Sequence, residues 1–446
     1  MSNANVTEAL LRARDTKMLE LGPGAISKVP QMFKSLFPGS RAVVVTDAIT
    51  FKVAGKDVDT VLRKAEVDAE QPFVFESPDL YAEWEYVLEL ERFLSTTDAI
   101  AVAVGSGVIN DLTKLVSHRL GRRYMIVGTA ASMDGYAAFG ASITYEGIKQ
   151  TFDCPAPLGI VFDSAIAAGA PEGMSASGYA DLLAKVPAGV EWVLSGIVGA
   201  DDVDPFAYGL VQNGLRKALS EPSAVAAGDI EATSLLAEGL IMSGFAMQAV
   251  SSSRPASGIE HQFSHFWDME GLCHEGKHVS HGFKVGIGTL VSCACLEYLA
   301  EYDMEAVDVE KCKANWPSWE QMEAHIRTIY DGMPAHLEKA LKETKAKYSD
   351  KDTVGKQIQA VKDVWPEFKE RIKSQSMTYA EAKECLKLVR APYEPEHISL
   401  TREHLRKTFV CIPFMRSRYT AIDLIQRLGI MDEVEAWLFG PGGYFA

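Results

Sequence analysis

The feature that most restricts how this chain folds is a change of hydrophobic period near residue 165. Before it, short apolar runs alternate with helical patterns. RAVVVTDA (41–48) reads as a buried strand, ITFKVAGKDVDTVLRKA as the helix after it, and FVFE (73–76) as a second strand. An acidic amphipathic helix follows at 79–95, then strand DAIAVAVG (98–105), helix INDLTKLVSHRL (109–120), strand RRYMIVGTA (122–130) and a last strand in GIVFD. Such alternation implies a parallel sheet wrapped by helices. From about Ala176 onward nearly every segment repeats its apolar residues at helical spacing. The expected architecture is a Rossmann-like α/β domain over residues 1–167 followed by an all-α domain over 168–446.

Charge and cysteine usage narrow the partners. Forty-four basic residues against 60 acidic give a formal net charge of -16, so a non-specific nucleic-acid or anionic-membrane binder is not expected. An anionic small substrate would need its own basic pocket. The 7 cysteines show no CxxC spacing, which argues for a reducing cytoplasm rather than a disulfide framework. The first twenty residues lack the apolar core of a signal peptide, and no apolar run is read as approaching a membrane span, so no membrane insertion is expected.

Five of the 10 histidines fall between His261 and His281. His261 and His265 stand four apart among Ile259, Phe263, Phe266 and Met269, which recur at helical spacing, so both imidazoles project from one face. That pair can grip a divalent ion, and His281, just before a new helix, could close the site from a neighbouring element. His274 and His278 share the same spacing and remain candidates. The plain alternative is polar histidines at helix ends.

The turn Gly105-Ser106-Gly107 lies between a strand and a helix, where bare backbone amides can cradle a pyrophosphate; a tight βα turn is the bland reading. GTAASMDGYAAFGAS (128–142) follows the next strand, and two such loops at one sheet edge favour a nucleotide. Asp47, ending VVVTD, could accept from a ribose 2′-hydroxyl and repel a 2′-phosphate, or cap a helix. Asp181 is read as opening a helix with Lys185 one turn later, an arrangement a surface ion pair would also explain.

GSGVINDLTK (105–114), TAASMDGY (129–136), SGYADLLAK (177–185), RPASGIEHQFSH (254–265) and HGFKVGIGT (281–289) occur in the order and approximate spacing of the sn-glycerol-1-phosphate dehydrogenases. The chain resembles most their bacterial AraM-type branch, within the superfamily of iron-containing alcohol dehydrogenases and dehydroquinate synthase. The match spans roughly 15–300, and more loosely 416–429. The resemblance implies a dehydroquinate synthase-like fold with the active site in the cleft between its two domains. It implies Asp181, His261 and His281 as ligands of one divalent ion (zinc, nickel or iron), His265 as a substrate-contacting histidine, and Asp134 as a residue beside the nicotinamide. Gly105, Ser106, Gly107, Asp111, Thr129 and Ser132 match the cofactor loops for NAD(H). Two departures stand out: the usual triple-glycine turn is GSG here, and Ala180 replaces the glycine that commonly precedes the metal aspartate.

The implied activity is interconversion of dihydroxyacetone phosphate and sn-glycerol 1-phosphate by a cytoplasmic homo-oligomer, most simply a dimer. Arg254, seven residues before His261 and therefore two turns back on a continuing helix, is the expected phosphate ligand, with Lys185 as second candidate and Arg416 and Arg418 next; a structural arginine capping the segment before Pro255 is the bland reading. Rival readings are a dehydroquinate-synthase-like lyase, a polyol dehydrogenase on an unphosphorylated substrate, and a catalytically silent binder.

Overall fold

The computed structural model describes residues 3–446. Its contacts group the chain into two compact units. One comprises Met1–Leu182, Phe206–Ser253 and Leu388–Arg390, the other Leu183–Pro205, Arg254–Lys387 and Ala391–Ala446.

The first unit is built on a six-stranded sheet of β1 (Met18–Gly22), β2 (Ala42–Asp47), β3 (Phe73–Phe75), β4 (Ile100–Gly105), β5 (Met125–Gly128) and β8 (Gly159–Asp163), between which a hairpin of β6 (Ala141–Tyr145) and β7 (Ile148–Phe152) is inserted. Strand order is β1-β8-β5-β4-β2-β3, and every neighbouring pair is parallel. Helices cover both faces, which is why β2, β4 and β5 read as unbroken apolar runs: Val43, Val44, Val45, Val102 and Ile126 are all at most 1% exposed. From β2 the chain steps outward to β3, then returns to β4 on the other side and continues to β5. The direction of winding therefore reverses between β2 and β4, where ligands of such sheets collect at the strands' carboxyl ends. β1 and the hairpin were not anticipated from the sequence. Strand β1 is only half-buried, and the hairpin begins at the last two residues of the small-residue stretch 128–142 and runs on to Phe152.

The expected 1–167 and 168–446 division follows the change from sheet to helix, whereas compactness assigns helix Ile230–Val250 to the sheet's unit. Gln248 near its end explains why. Its Oε1 accepts from the N–H groups of Asp15 (2.9 Å) and Thr16 (3.2 Å), and its Nε2 donates to Thr16 Oγ1 and Ala137 O. Such a buried, satisfied amide ties three distant segments together.

The second unit is helical apart from the two-residue strands Cys273–His274 and Lys277–His278. Its centre is helix His281–Glu301, against which helix Ile259–Met269 lies so close that a Cβ at Gly288 would stand 2.6 Å from Glu260 O. The charged stretch 319–347 forms two helices, Trp319–Ile329 and Pro334–Lys347, because Gly332 adopts φ +78° and Pro334 starts the second.

One expectation is corrected. Ile230–Val250 and His281–Glu301, each 21 residues, are long and apolar enough to cross a membrane by length and composition alone. In the fold 67% and 83% of their most apolar windows are buried, as in core helices enclosed on all sides.

Gly178, in helix Glu172–Leu183, faces the loop after β5, where a Cβ would come within 1.9 Å of Ala131 O. Gly178→Ala should cost about 2–4 kcal/mol and lower the melting temperature by several degrees. Gly169→Ala, whose Cβ meets nothing nearer than 3.4 Å, should stay within about 0.5 kcal/mol of the parent, both read by thermal unfolding.

Candidate active site

The two loops expected to hold a nucleotide emerge side by side. Gly105 pairs with Gly128 in the β4–β5 register, and Thr129 N–H donates to Gly105 O at 3.1 Å. Ser106 is the N-cap of helix Gly107–Arg119 in extended conformation, and no side chain caps that helix. The glycines permit close packing: a Cβ at Gly105 would strike Ile109 at 2.7 Å, and one at Gly107 would strike Met133 Cε at 2.8 Å. Helix amides at this edge suit a pyrophosphate. Ser132 Oγ lies 3.4 Å from the Tyr136 hydroxyl, which donates to Ala130 O. Across the winding reversal, Asp47 caps the next helix: its Oδ1 accepts from Ile49 N–H (2.8 Å) and Thr50 N–H (2.7 Å), with Thr50 Oγ1 returning a bond to Asp47 N–H. The bland reading of Asp47 is therefore realised, and its Oδ2 takes no part in the cap.

Asp111, expected among the cofactor-loop residues, anchors a neighbouring strand in this structure. Its Oδ2 accepts from Ser142 N–H at 3.1 Å and its Oδ1 faces Lys114 Nζ at 3.4 Å, so it pins the β6 hairpin. The buried Lys114 ammonium donates to Gly135 O, Ala138 O and Gly140 O at 2.9–3.2 Å. Sequence reading passed over this lysine although it closes the GSGVINDLTK motif.

The loop thus fixed carries Asp134, whose backbone N–H donates to Asp181 Oδ2 at 3.0 Å and whose own Oδ2 accepts from Ser243 Oγ at 2.9 Å. Asp181, fully buried, lies in the last turn of helix Glu172–Leu183 rather than opening one, and Lys185 begins the following helix, Lys185–Ile197, also fully buried. Ala180 places the chain's methyl where the resembling family has glycine, with 0% exposure.

In the second unit the rings of His261 and His281 lie 5.3 Å apart, centre to centre. Glu260 Oε1 accepts from His261 Nδ1 at 2.8 Å, which leaves the lone pair on Nε2, and Ser264 Oγ lies 3.3 Å from His281 Nδ1. Glu260 is buried beside a second carboxylate, Glu191, which accepts from Ile259 N–H and Ala421 N–H. Burial and the neighbouring Glu260 raise the Glu191 pKa. Among the described residues Asp181, His261 and His281 each offer one ligand atom, all within 4.8 Å of one another. One carboxylate and two imidazoles in buried surroundings are a fitting donor set for a divalent ion, with a coordination position to spare. His274 and His278 take no part: His274 Nδ1 meets Ser399 Oγ at 2.8 Å and His278 Nδ1 faces Cys273 Sγ at 3.7 Å.

His265, one turn after His261, accepts at Nε2 from Arg416 at 3.0 Å. An arginine can only donate, so the ring proton stays on Nδ1. Burial and the Arg416 charge hold the His265 pKa well below its ordinary value, so the ring is neutral. Arg254 is not on a continuing helix. It lies in the short turn Arg254–Ala256, and the helix begins only after Pro255 and Gly258. Its buried guanidinium bonds Glu191 O (2.8 Å), Tyr419 O (2.9 Å) and Asp201 Oδ2 (3.1 Å), the contacts of a structural clamp.

Residues 20–171 match the family described as iron-containing alcohol dehydrogenase. The chain is 32% identical over 296 residues to a glycerol-1-phosphate dehydrogenase (NAD(P)+) of Halalkalibacterium halodurans, covering 66% of this chain and 73% of that one. It is 34% identical over 272 residues to the protein of that name from Pyrococcus furiosus, covering 61% and 76%. Its fold is similar to that of a probable glycerol dehydrogenase from Sinorhizobium meliloti 1021 (TM-score 0.58, 16% identity, 94% and 97% covered) and of glycerol dehydrogenase from Schizosaccharomyces pombe (TM-score 0.57, 15% identity, 94% and 90% covered).

If Glu260 sets the tautomer of a ligating His261, then Glu260→Gln should weaken divalent-ion affinity about 10- to 100-fold while leaving the far-ultraviolet dichroism unchanged. Chelator competition followed by elemental analysis measures this; undiminished affinity would separate Glu260 from the ligand.

Proposed function

Because this chain belongs to the family of glycerol-1-phosphate dehydrogenases, NAD(P)-linked oxidoreductases, we propose that it is metal-dependent and interconverts dihydroxyacetone phosphate and sn-glycerol 1-phosphate with NAD(H). The observation that carries the reading is the convergence of Asp181, His261 and His281 to within 4.8 Å. The ion supplies Lewis acidity toward a carbonyl oxygen, and the dinucleotide supplies the hydride. In this reading Asp181, His261 and His281 hold the ion. Asp181 is oriented by the Asp134 amide and His261 by Glu260.

His265 presents Nδ1–H to the substrate, since Arg416 occupies Nε2. A neutral imidazole so fixed can donate to an oxygen that gains negative charge in the transition state without first giving up a proton. Asp134, steadied by Ser243, lines the substrate. Gly105, Ser106, Gly107, Thr129 and Ser132, at the reversal between β2 and β4, would hold the cofactor, with Asp47 Oδ2 available to the ribose. We place the reaction in the cytoplasm and favour a homodimer.

The test is net NADH oxidation with dihydroxyacetone phosphate after divalent-metal reconstitution, against dihydroxyacetone. Phosphorylated-substrate turnover several orders above background supports the proposal, whereas NAD-dependent conversion without net redox would mark a lyase. His261→Ala and His281→Ala should each lose bound metal and turnover. His265→Ala should keep metal and lose roughly two to four orders of magnitude in rate. Full metal occupancy in the first two variants would overturn the ligand set.

Asp47→Ser retains an oxygen that can cap the helix but removes the charge. It should narrow the preference for NADH over NADPH with a stability change below about 0.5 kcal/mol, whereas Asp47→Ala should cost about 1 kcal/mol through the lost cap. An unchanged cofactor ratio in the serine variant would detach Asp47 from the ribose.

A further inference from the structure

Arg416 and Lys339 are two cations placed together with, among the described residues, no carboxylate within ion-pair distance of either. Arg416 follows the short turn Ile412–Phe414, and Lys339 lies on helix Pro334–Lys347. Each feels the other or the His265 ring: Arg416 donates to His265 Nε2 at 3.0 Å, and both charges act on His265 and Arg416 on Lys339. Burial lowers the pKa of both. Neither makes an ion pair within 4.0 Å among the described residues. Among the described residues the hydrogen-bond partner of Lys339 Nζ is Met269 Sδ at 3.9 Å, and that of Arg416 is His265.

The carboxylates that face them are engaged elsewhere. Glu343, which acts on both, accepts from Ser417 N–H at 2.8 Å, and Asp268, which acts on Lys339, pairs with Lys284. Withdrawing cations from water is costly unless an anion meets them, and this chain, with a formal charge of -16, has carboxylates in excess. That none among the described residues stands within 4.0 Å of either cation, Glu343 acting only from farther off, points to an anion from outside. Arg254, by contrast, has its Asp201 and two carbonyls.

We propose that Arg416 and Lys339, with the His265 ring between them and the metal histidines, form the subsite for the phosphate dianion of the substrate. This rests on the dehydrogenase reading above and assigns its phosphate end. His265 is four residues from His261, about 6 Å along the helix at roughly 1.5 Å per residue. That offset suits a ligand whose carbonyl and phosphate are separated by one methylene and one ester oxygen. The fork of Arg416 can take two phosphate oxygens and the ammonium of Lys339 a third.

The experiment uses the metal-loaded full chain, Arg416→Met and Lys339→Met. In each variant the KM for dihydroxyacetone phosphate should rise at least tenfold, and the ratio of its kcat/KM to that of dihydroxyacetone should fall at least tenfold. Competitive inhibition by inorganic phosphate should be lost in parallel, with the KM for NADH unchanged. A substrate ratio within twofold of the parent in both variants overturns the subsite, as does a rise in the KM for NADH instead. Where a variant turns over neither substrate, thermal stabilisation by inorganic phosphate decides: its loss supports the assignment and its retention overturns it. If the parent protein itself fails to oxidise NADH with dihydroxyacetone phosphate, the dehydrogenase reading falls, while phosphate stabilisation of parent against variants still reads the subsite.

Discussion

The ammonium of Lys114 is buried to 0% side-chain exposure, and the arrangement of the loops at the sheet's carboxyl edge depends on it. A buried lysine is tolerable only if its three protons find acceptors, and here they find the carbonyls of Gly135, Ala138 and Gly140, with Asp111 as counter-charge. Asp111 in turn holds the first strand of the hairpin through Ser142. One helix turn beyond the GSG motif thus fixes the path of the loop that carries Asp134. That loop helps to fix Asp181, whose carboxylate accepts from the amide of Asp134. A polar network so placed orders a backbone that has no regular secondary structure of its own.

The same economy holds in the helical unit. Glu260 orients His261, Glu191 holds the start of that helix through Ile259 N–H, and Gly258 permits both carboxylates because a Cβ there would meet Glu191 Oε2 at 1.9 Å. Charges near the histidines are therefore of two kinds. Arg254 and Lys284 pair directly with carboxylates, whereas among the described residues Arg416 and Lys339 have none within 4.0 Å. In an acidic chain this contrast is the clearest electrostatic feature near His265.

The family and the fold class were legible early because their signals are local. Val43–Val45 and Val102–Val104 announce buried parallel strands, and the five motifs recur in order. Asp47 was legible as either cap or ribose ligand, and the cap geometry is what the chain itself displays. Less could be read for Lys114, Glu260 and Ser243, because their role comes from which carbonyl, ring or carboxylate lies opposite. Glu260 carried one faint signal, its adjacency to His261. Arg254 was misplaced because helical periodicity was extended through Pro255 and Gly258, both of which interrupt it. The apolar length of Ile230–Val250 and His281–Glu301 went unregistered in the sequence, and their burial accounts for it: a helix surrounded by protein is apolar all round and passes the same test of length and composition as one surrounded by lipid.

The sequence by itself determined the alternation that makes the parallel sheet, the helical remainder, and the residue types that can serve a dinucleotide and a divalent ion. These follow from period, turn chemistry and side-chain inventory, all properties of neighbouring residues. Only the tertiary structure decided that Asp181 ends its helix, that Asp134 and Ser243 meet, that helix Ile230–Val250 joins the sheet's unit, and that Arg416 reaches His265 across 151 positions. Such pairings depend on long-range packing and on where buried polar groups find partners, and no local pattern in the chain encodes the distance between them.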